Sequence, residues 1–122
     1  MNRPLSLLVG AALAAGALAL PARAQDAPAG DVANGKRIYL ADGCYLCHGR
    51  AGQGGAYNGP APVLAKTEMP FDGFKGQLRA PSDDMPAYSE AVMSEKDIAD
   101  IYAFVKSLPG RRNPKDIPIL NN

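Results

Sequence analysis

Residues 44–48 read Cys44-Tyr45-Leu46-Cys47-His48, and they contain both cysteines and the single histidine of the 122-residue chain. The C-x-x-C-H pattern is typical of the covalent attachment of a c-type haem. A haem has two vinyl groups to which two thiols can add, and a helical turn with this spacing directs both sulfurs to one edge of the porphyrin. The histidine that follows is then placed to bind the iron as its proximal ligand. We therefore predict that Cys44 and Cys47 carry one haem c and that His48 ligates its iron.

Three other interpretations of this pattern fit the sequence less well. A thioredoxin-like redox pair needs a strand before it and a helix after it, whereas here a helical pattern precedes the cysteines and a glycine-rich segment follows them. A structural zinc site requires four ligands, and the chain has three Cys and His residues in all. A disulfide across so short a loop would add little stability by loop-closure entropy.

Residues 1–24 have the organisation of a secretory signal peptide. Arg3 gives a positively charged start, Leu5 to Leu20 form an apolar run, and Ala22-Arg23-Ala24 is an A-x-A cleavage pattern. We predict cleavage after Ala24, which leaves residues 25–122 as one domain. An uncleaved membrane anchor is the alternative, but the apolar run has 16 residues and a membrane-spanning helix needs about 20.

The charge after cleavage limits the possible partners. Eleven basic and twelve acidic side chains remain, so the formal charge is −1, which is unlike a polybasic nucleic-acid binder or a cationic membrane-surface protein. Exported cysteines normally form disulfides, and attachment to haem would remove them from that chemistry. We expect a periplasmic haem protein with no membrane span once the signal peptide is removed.

Helical periodicity occurs on both sides of the cysteines, and no segment has a strand pattern. Apolar residues recur every three or four positions over 32–39, 71–78 and 98–108, each predicting an amphipathic helix. Asp31 is a predicted N-cap of the first helix, and Ser94 with Asp97 predicts a capping box at the last. Gly35 inside the first helix costs about 1 kcal/mol relative to alanine, which either a close helix crossing or simple tolerance would explain.

A glycine-rich segment (49–59) follows the histidine and leads into a rigid proline segment (59–64). A histidine that ligates a metal usually donates its other ring N–H to a carbonyl or carboxylate. We expect Pro60 or Pro62 to supply this carbonyl and favour Pro62, although the segment could also be an ordinary surface loop. Leu64 is expected to pack on the haem.

Three methionines lie outside the signal peptide, and any of them could be the second axial ligand that low-spin electron carriers use. Met93 lies at a helix start and is most simply a core residue. Met69 leads directly into the helix over 71–78, whereas Met85 lies in a loop long enough to reach the opposite haem face. Spacing alone favours Met85 over Met69, and either residue could instead fill a core.

Taken in order, these features resemble a bacterial class I c-type cytochrome, which is monohaem and His/Met-ligated. The features are Gly35 with Tyr39, the C-x-x-C-H-G run of 44–49, the proline segment, Met85-Pro86-Ala87-Tyr88, and the helix over 98–108. The resemblance implies an all-α cytochrome c fold of three to five short helices around one covalently attached haem. It implies that the terminal helices cross near Gly35 and Tyr102, and that His48 and Met85 are the axial ligands.

The resemblance also implies a function. With both axial positions filled, the iron has no open site for substrate, so the expected role is one-electron transfer and not enzymatic catalysis. Expected partners are a periplasmic dehydrogenase as donor and an oxidase or another cytochrome as acceptor. The alternatives are a haem subunit within a periplasmic dehydrogenase complex and, less favoured, an open-coordination haem enzyme. The chain lacks tryptophan, so the haem-propionate contact often made by that residue needs another donor, for which Arg79 is a candidate.

Overall fold

The computed structural model describes residues 27–55 and 61–121. These residues form four α-helices and no strand, as predicted for an all-α fold; the predicted signal peptide (1–24) and Pro60 lie outside them. The helices are α1 (Val32–Ala41), α2 (Cys44–His48), α3 (Phe71–Arg79) and α4 (Glu95–Ser107), followed by two 3-10 turns, Pro114–Asp116 and Pro118–Leu120. No helix in this part of the chain is both long and apolar enough to cross a membrane.

Both predicted helix starts are confirmed. The Asp31 carboxylate accepts hydrogen bonds from the backbone N–H groups of Ala33 and Asn34 at the start of α1. Ser94 and Asp97 form a reciprocal capping box at the start of α4. These caps satisfy N–H groups that have no partner within the helix.

The close crossing predicted from Gly35 is present between α1 and α4. A side chain at this position would collide with the backbone carbonyl of Asp100 and would lie 2.9 Å from the backbone nitrogen of Ile101. The two backbones therefore meet where only glycine fits, which explains its retention inside a helix.

Tyr102 lies beside this crossing but packs on a different helix. Its ring centroid lies 5.5 Å from that of Phe71 and 5.2 Å from that of Phe74, both on α3. Its hydroxyl donates to the Met69 carbonyl at 2.7 Å. Tyr102 thus attaches α3 to α4, whereas Asp100 and Ile101 meet α1.

The core is formed where α1, α3 and α4 meet. Tyr39 of α1 packs edge-on against Phe104 of α4, with ring centroids 5.3 Å apart. Met93 is buried here, as expected for a core methionine. The buried apolar side chains of this cluster are Ile38, Tyr39, Phe71, Phe74, Leu78, Met93, Ile98, Ala99, Ile101, Tyr102, Phe104 and Val105.

Asp100 is a fully buried carboxylate on α4 that joins the ends of the chain. It accepts hydrogen bonds from the Asp31 N–H at 2.7 Å, from Asn34 Nδ2 at 2.8 Å and from Lys96 Nζ at 2.8 Å. Burial alone would raise the pKa of Asp100, but these donors outweigh burial and lower it to about 2. The carboxylate is therefore ionised and fully paired at neutral pH.

Candidate haem-binding site

A cavity of about 1140 Å³ opens beside α2 and is larger than the roughly 300–1,000 Å³ of most ligand pockets. Its wall is built by α2, the proline segment, α3 and residues 80–93, here called the methionine loop. Its apolar lining includes Leu46, Val63 and Met69, which are 40%, 38% and 44% exposed. The remaining lining residues are Tyr39, Asp42, Gly43, Cys44, Cys47, His48, Ala61, Pro62, Leu64, Thr67, Phe74, Gln77, Leu78, Ser82, Asp83, Asp84, Met85, Pro86, Tyr88 and Ile101.

The two cysteines lie on the short helix α2 with both sulfurs as free thiols, and both residues line the cavity. Burial, and after it the negative charge of Asp42, raise the pKa of the Cys44 thiol to about 11. Redox-active C-x-x-C pairs instead have a cysteine with a lowered pKa. The thiol environment therefore disfavours the thioredoxin-like interpretation.

A zinc site also lacks support in this part of the chain. Within 27–55 and 61–121, no group of three or more His, Cys, Asp or Glu side chains is arranged to hold a metal ion.

His48 ends α2 and is 8% exposed. Its Nδ1 lies 3.0 Å from the carbonyl oxygen of Pro62, the residue favoured from the sequence. Because a carbonyl can only accept, Nδ1 must carry the ring proton, which leaves the lone pair of Nε2 for a metal. This is the tautomer that a haem-ligating histidine requires.

Backbone groups of the glycine-rich segment and the proline segment hold His48 in place. The Gly54 N–H donates to the His48 carbonyl at 2.8 Å, and the Leu64 N–H donates to the Gly52 carbonyl at 2.8 Å. A side chain at Gly54 would lie 3.0 Å from the Val63 nitrogen, and its φ of +75° is unfavourable for other residues. Glycine here lets two stretches of backbone pack directly behind the histidine.

Two methionines line the cavity, Met69 and Met85. Met85 is partly buried and packs against the core cluster, and its sulfur lies 3.9 Å from Gln77 Nε2. Met69 is more exposed, and its side chain lies against Gly73 at the start of α3. The structure therefore brings His48, Pro62, Leu64 and Met85 to one cavity.

Arg79 lies outside the cavity wall, contrary to the suggestion that it contacts a haem propionate. Its Nη1 donates to the carbonyls of Tyr88 and Met93, both at 2.8 Å. The guanidinium is engaged with the backbone because Arg79 ends α3 beneath the methionine loop.

Sequence reasoning missed the cavity roles of three polar side chains. Tyr39 donates to the Gly49 carbonyl at 2.7 Å, Tyr88 donates to the Asp42 carbonyl at 3.4 Å, and Gln77 contacts Met85. The tyrosines carried a signal, because each lies in a segment that the family resemblance used. Gln77 carried none, since a polar residue on a short helix is usually solvated.

Residues 30–105, more than half of the chain, match the protein family described as cytochrome c oxidase, cbb3-type, subunit III. The chain belongs to this family of c-type cytochromes. Comparison of the cytochrome with curated proteins and with solved structures gave no match.

Family membership agrees with the chemistry of the cavity. The cytochrome binds haem c through the C-x-x-C-H motif of Cys44, Cys47 and His48, and it is an electron-transfer protein that exchanges electrons with redox partners. The cavity suits this cofactor, because its exposed apolar side chains would be covered by a flat apolar ring and both cysteine thiols reach its wall.

Proposed function

We propose that this cytochrome is a periplasmic monohaem carrier of single electrons, with the iron bound by Nε2 of His48 and Sδ of Met85. The observation that supports this most directly is the shared cavity, which both residues line although they belong to separate segments of the chain. The hydrogen bond from His48 to Pro62 supports the same assignment, because it leaves Nε2 free.

When bound, the haem supplies the one-electron change between Fe(II) and Fe(III). The residues of the chain set the conditions for that change. Cys44 and Cys47 hold the group covalently, and the Pro62 carbonyl increases the basicity of His48. The Met85 thioether favours the reduced state and so raises the reduction potential. Leu64 contributes apolar surface that keeps water away.

Met85 is a better candidate than Met69 for the second ligand. Met85 packs against the core and its sulfur has a hydrogen-bond donor in Gln77, so its position is defined. Met69 is 44% exposed, and its backbone is fixed by Tyr102 and by the start of α3 immediately after it. We infer that Met69 covers the cavity as an apolar side chain.

The location and the partners belong to the same proposal. The predicted signal peptide supports a periplasmic site of action, with a dehydrogenase as donor and an oxidase or another cytochrome as acceptor. The described cavity wall includes Asp42, Asp83 and Asp84 but no lysine or arginine. An acidic rim of this kind favours a partner with a basic surface around its own redox centre, because opposite charges steer association.

A second candidate is a haem subunit held within a larger redox complex. The matching family is described as an oxidase subunit, which adds an oxidase to the dehydrogenase complex considered from the sequence. Val92, Ile119 and Leu120 are 71%, 79% and 62% exposed and lie outside the cavity wall, where a larger subunit could cover them. Co-purification of a partner subunit would favour this candidate, and a monomer at all concentrations would favour the free carrier.

Carbon monoxide binding tests the axial ligands, because this gas needs an open position on reduced haem iron. We expect the wild-type protein and a Met69→Leu variant to bind it poorly and to keep the iron–thioether absorption in the oxidised state. Met85→Leu should lose that absorption and bind carbon monoxide readily. The reverse result for the two variants would assign the ligand to Met69, and ready binding by the wild-type protein would support the enzyme alternative.

A further inference from the structure

We propose that the last turn of α3, residues 77–79, is a clamp that holds the methionine loop closed over the cavity, with Arg79 as its main positioning residue. The proposal rests on the proposed ligation of the iron by Met85. It assigns to Arg79 the control of how often that ligand leaves the iron.

Arg79 contacts the methionine loop at two points. Its Nη1 atom donates to the Tyr88 carbonyl and to the Met93 carbonyl, both at 2.8 Å. These are charge-assisted hydrogen bonds at partly buried positions, which are stronger than neutral ones. One cationic group therefore fixes the half of the loop that follows Met85 to the end of α3.

The two residues before Arg79 contact the same loop. The Leu78 carbonyl accepts a hydrogen bond from the Tyr88 N–H at 2.9 Å. The Gln77 amide donates to Ser82 Oγ at 3.3 Å and lies 3.9 Å from the Met85 sulfur. Three consecutive residues thus hold the loop before the ligand, at the ligand and after it.

The rest of the loop has little else to keep it closed. Residues 82–84 are exposed, and Asp83 adopts a φ of +57°, which is unfavourable for a residue other than glycine. The Tyr88 hydroxyl reaches the Asp42 carbonyl at 3.4 Å, which is long for a hydrogen bond between oxygens. Closure therefore depends mainly on the clamp.

This dependence can be measured with imidazole, which binds the oxidised iron only when Met85 has left it. The apparent affinity for imidazole is proportional to the fraction of protein in the open state. We expect Arg79→Gln to raise this affinity at least tenfold, because both charge-assisted bonds are lost. Arg79→Lys keeps the charge without the guanidinium geometry and should give a smaller increase, and it serves if Arg79→Gln does not fold.

Arg111→Gln is the matched control. Arg111 also donates from its guanidinium to a backbone carbonyl, that of Gln53 at 3.0 Å, but it lies after α4 and away from the methionine loop. We expect its imidazole affinity to stay within twofold of the wild-type value.

Amide hydrogen exchange separates a clamp from a general structural role. In Arg79→Gln we expect faster exchange over residues 82–92 and unchanged exchange in α1 and α4. Unchanged imidazole affinity, or an equal loss of protection in all helices, would overturn the clamp and leave the ligand assignment intact. If the wild-type protein binds imidazole as tightly as Met85→Leu does, the ligand assignment itself is wrong and the clamp fails with it.

Discussion

At the scale of the single residue, the Gln77 amide is notable because it contacts the Met85 sulfur, with 3.9 Å between Nε2 and Sδ. A donor at this position withdraws electron density from the thioether, which then stabilises the oxidised iron less well. Hydrogen bonds to the atoms that surround a metal commonly tune it in this way.

We therefore expect Gln77→Leu to lower the reduction potential of the cytochrome. The change should be smaller than about 60 mV, the shift that corresponds to a tenfold change in a one-electron equilibrium. Redox titration followed by absorbance measures it. Ser82→Ala removes the other hydrogen-bond partner of the same amide and should leave the potential nearly unchanged. An equal shift in both variants would mean that loop disorder, and not the contact with sulfur, sets the effect.

At the scale of the helices, the contact between α1 and α4 depends on a buried charge as well as on Gly35. Asp100 accepts hydrogen bonds from Lys96, Asn34 and the Asp31 N–H, and its pKa lies at about 2 against an ordinary value of 3.8. A lowered pKa in the folded state means that the unfolded chain takes up the proton first. The stabilisation from Asp100 is thus fully present above about pH 4 and is lost as the pH falls towards 2.

We expect Asp100→Asn to lower the free energy of unfolding at pH 7 by about 1.5–3 kcal/mol, the range for hydrogen bonds to charged groups. The variant should also lose stability less steeply between pH 4 and pH 2 than the wild-type protein does. Urea unfolding at several pH values measures both effects. Asp116→Asn, at an exposed position in a 3-10 turn, is the control and should match the wild-type curve. Identical acid limbs for Asp100→Asn and wild type would contradict the assignment.

The helices themselves could be predicted because their signals are local. Apolar spacing located α3 and α4, and the caps at Asp31 and Ser94 located two of the starts. Asp100 was not recognised, because it lies on the buried side of α4 while its partners Asp31 and Asn34 lie more than 60 positions earlier. The 3-10 turns after α4 were also missed, since short turns rich in proline have no apolar period to detect.

At the scale of the whole molecule, the cavity divides into a part that could be read from the sequence and a part that could not. The C-x-x-C-H motif predicted the haem because attachment needs five consecutive residues. The Pro62 contact followed from a general requirement of metal-bound histidines and from the stiffness of the segment. The contacts of Arg79 and Gln77 with the methionine loop arise only when α3 and the loop pack together.

The exported form of the chain provides a test at the same scale. We expect the purified cytochrome to begin at Gln25 and to have the mass of residues 25–122 plus one haem. The haem should resist extraction by acidified acetone, because two thioether bonds hold it. Intact-mass spectrometry checks both expectations. An N-terminus at Met1 would contradict cleavage of the signal peptide, and an extractable haem would contradict attachment through Cys44 and Cys47.

The two sides of the cavity are built from different kinds of contact. Behind His48 the contacts run mainly between main-chain atoms of residues 48–55 and 61–65, whereas around Met85 the side chains of Gln77, Arg79 and Tyr88 make them. Exchanging one side chain for another therefore alters the methionine side while cofactor assembly on the histidine side proceeds unchanged. Such a protein can diversify its redox properties during evolution, or in a directed library, by varying a few positions without losing its pigment.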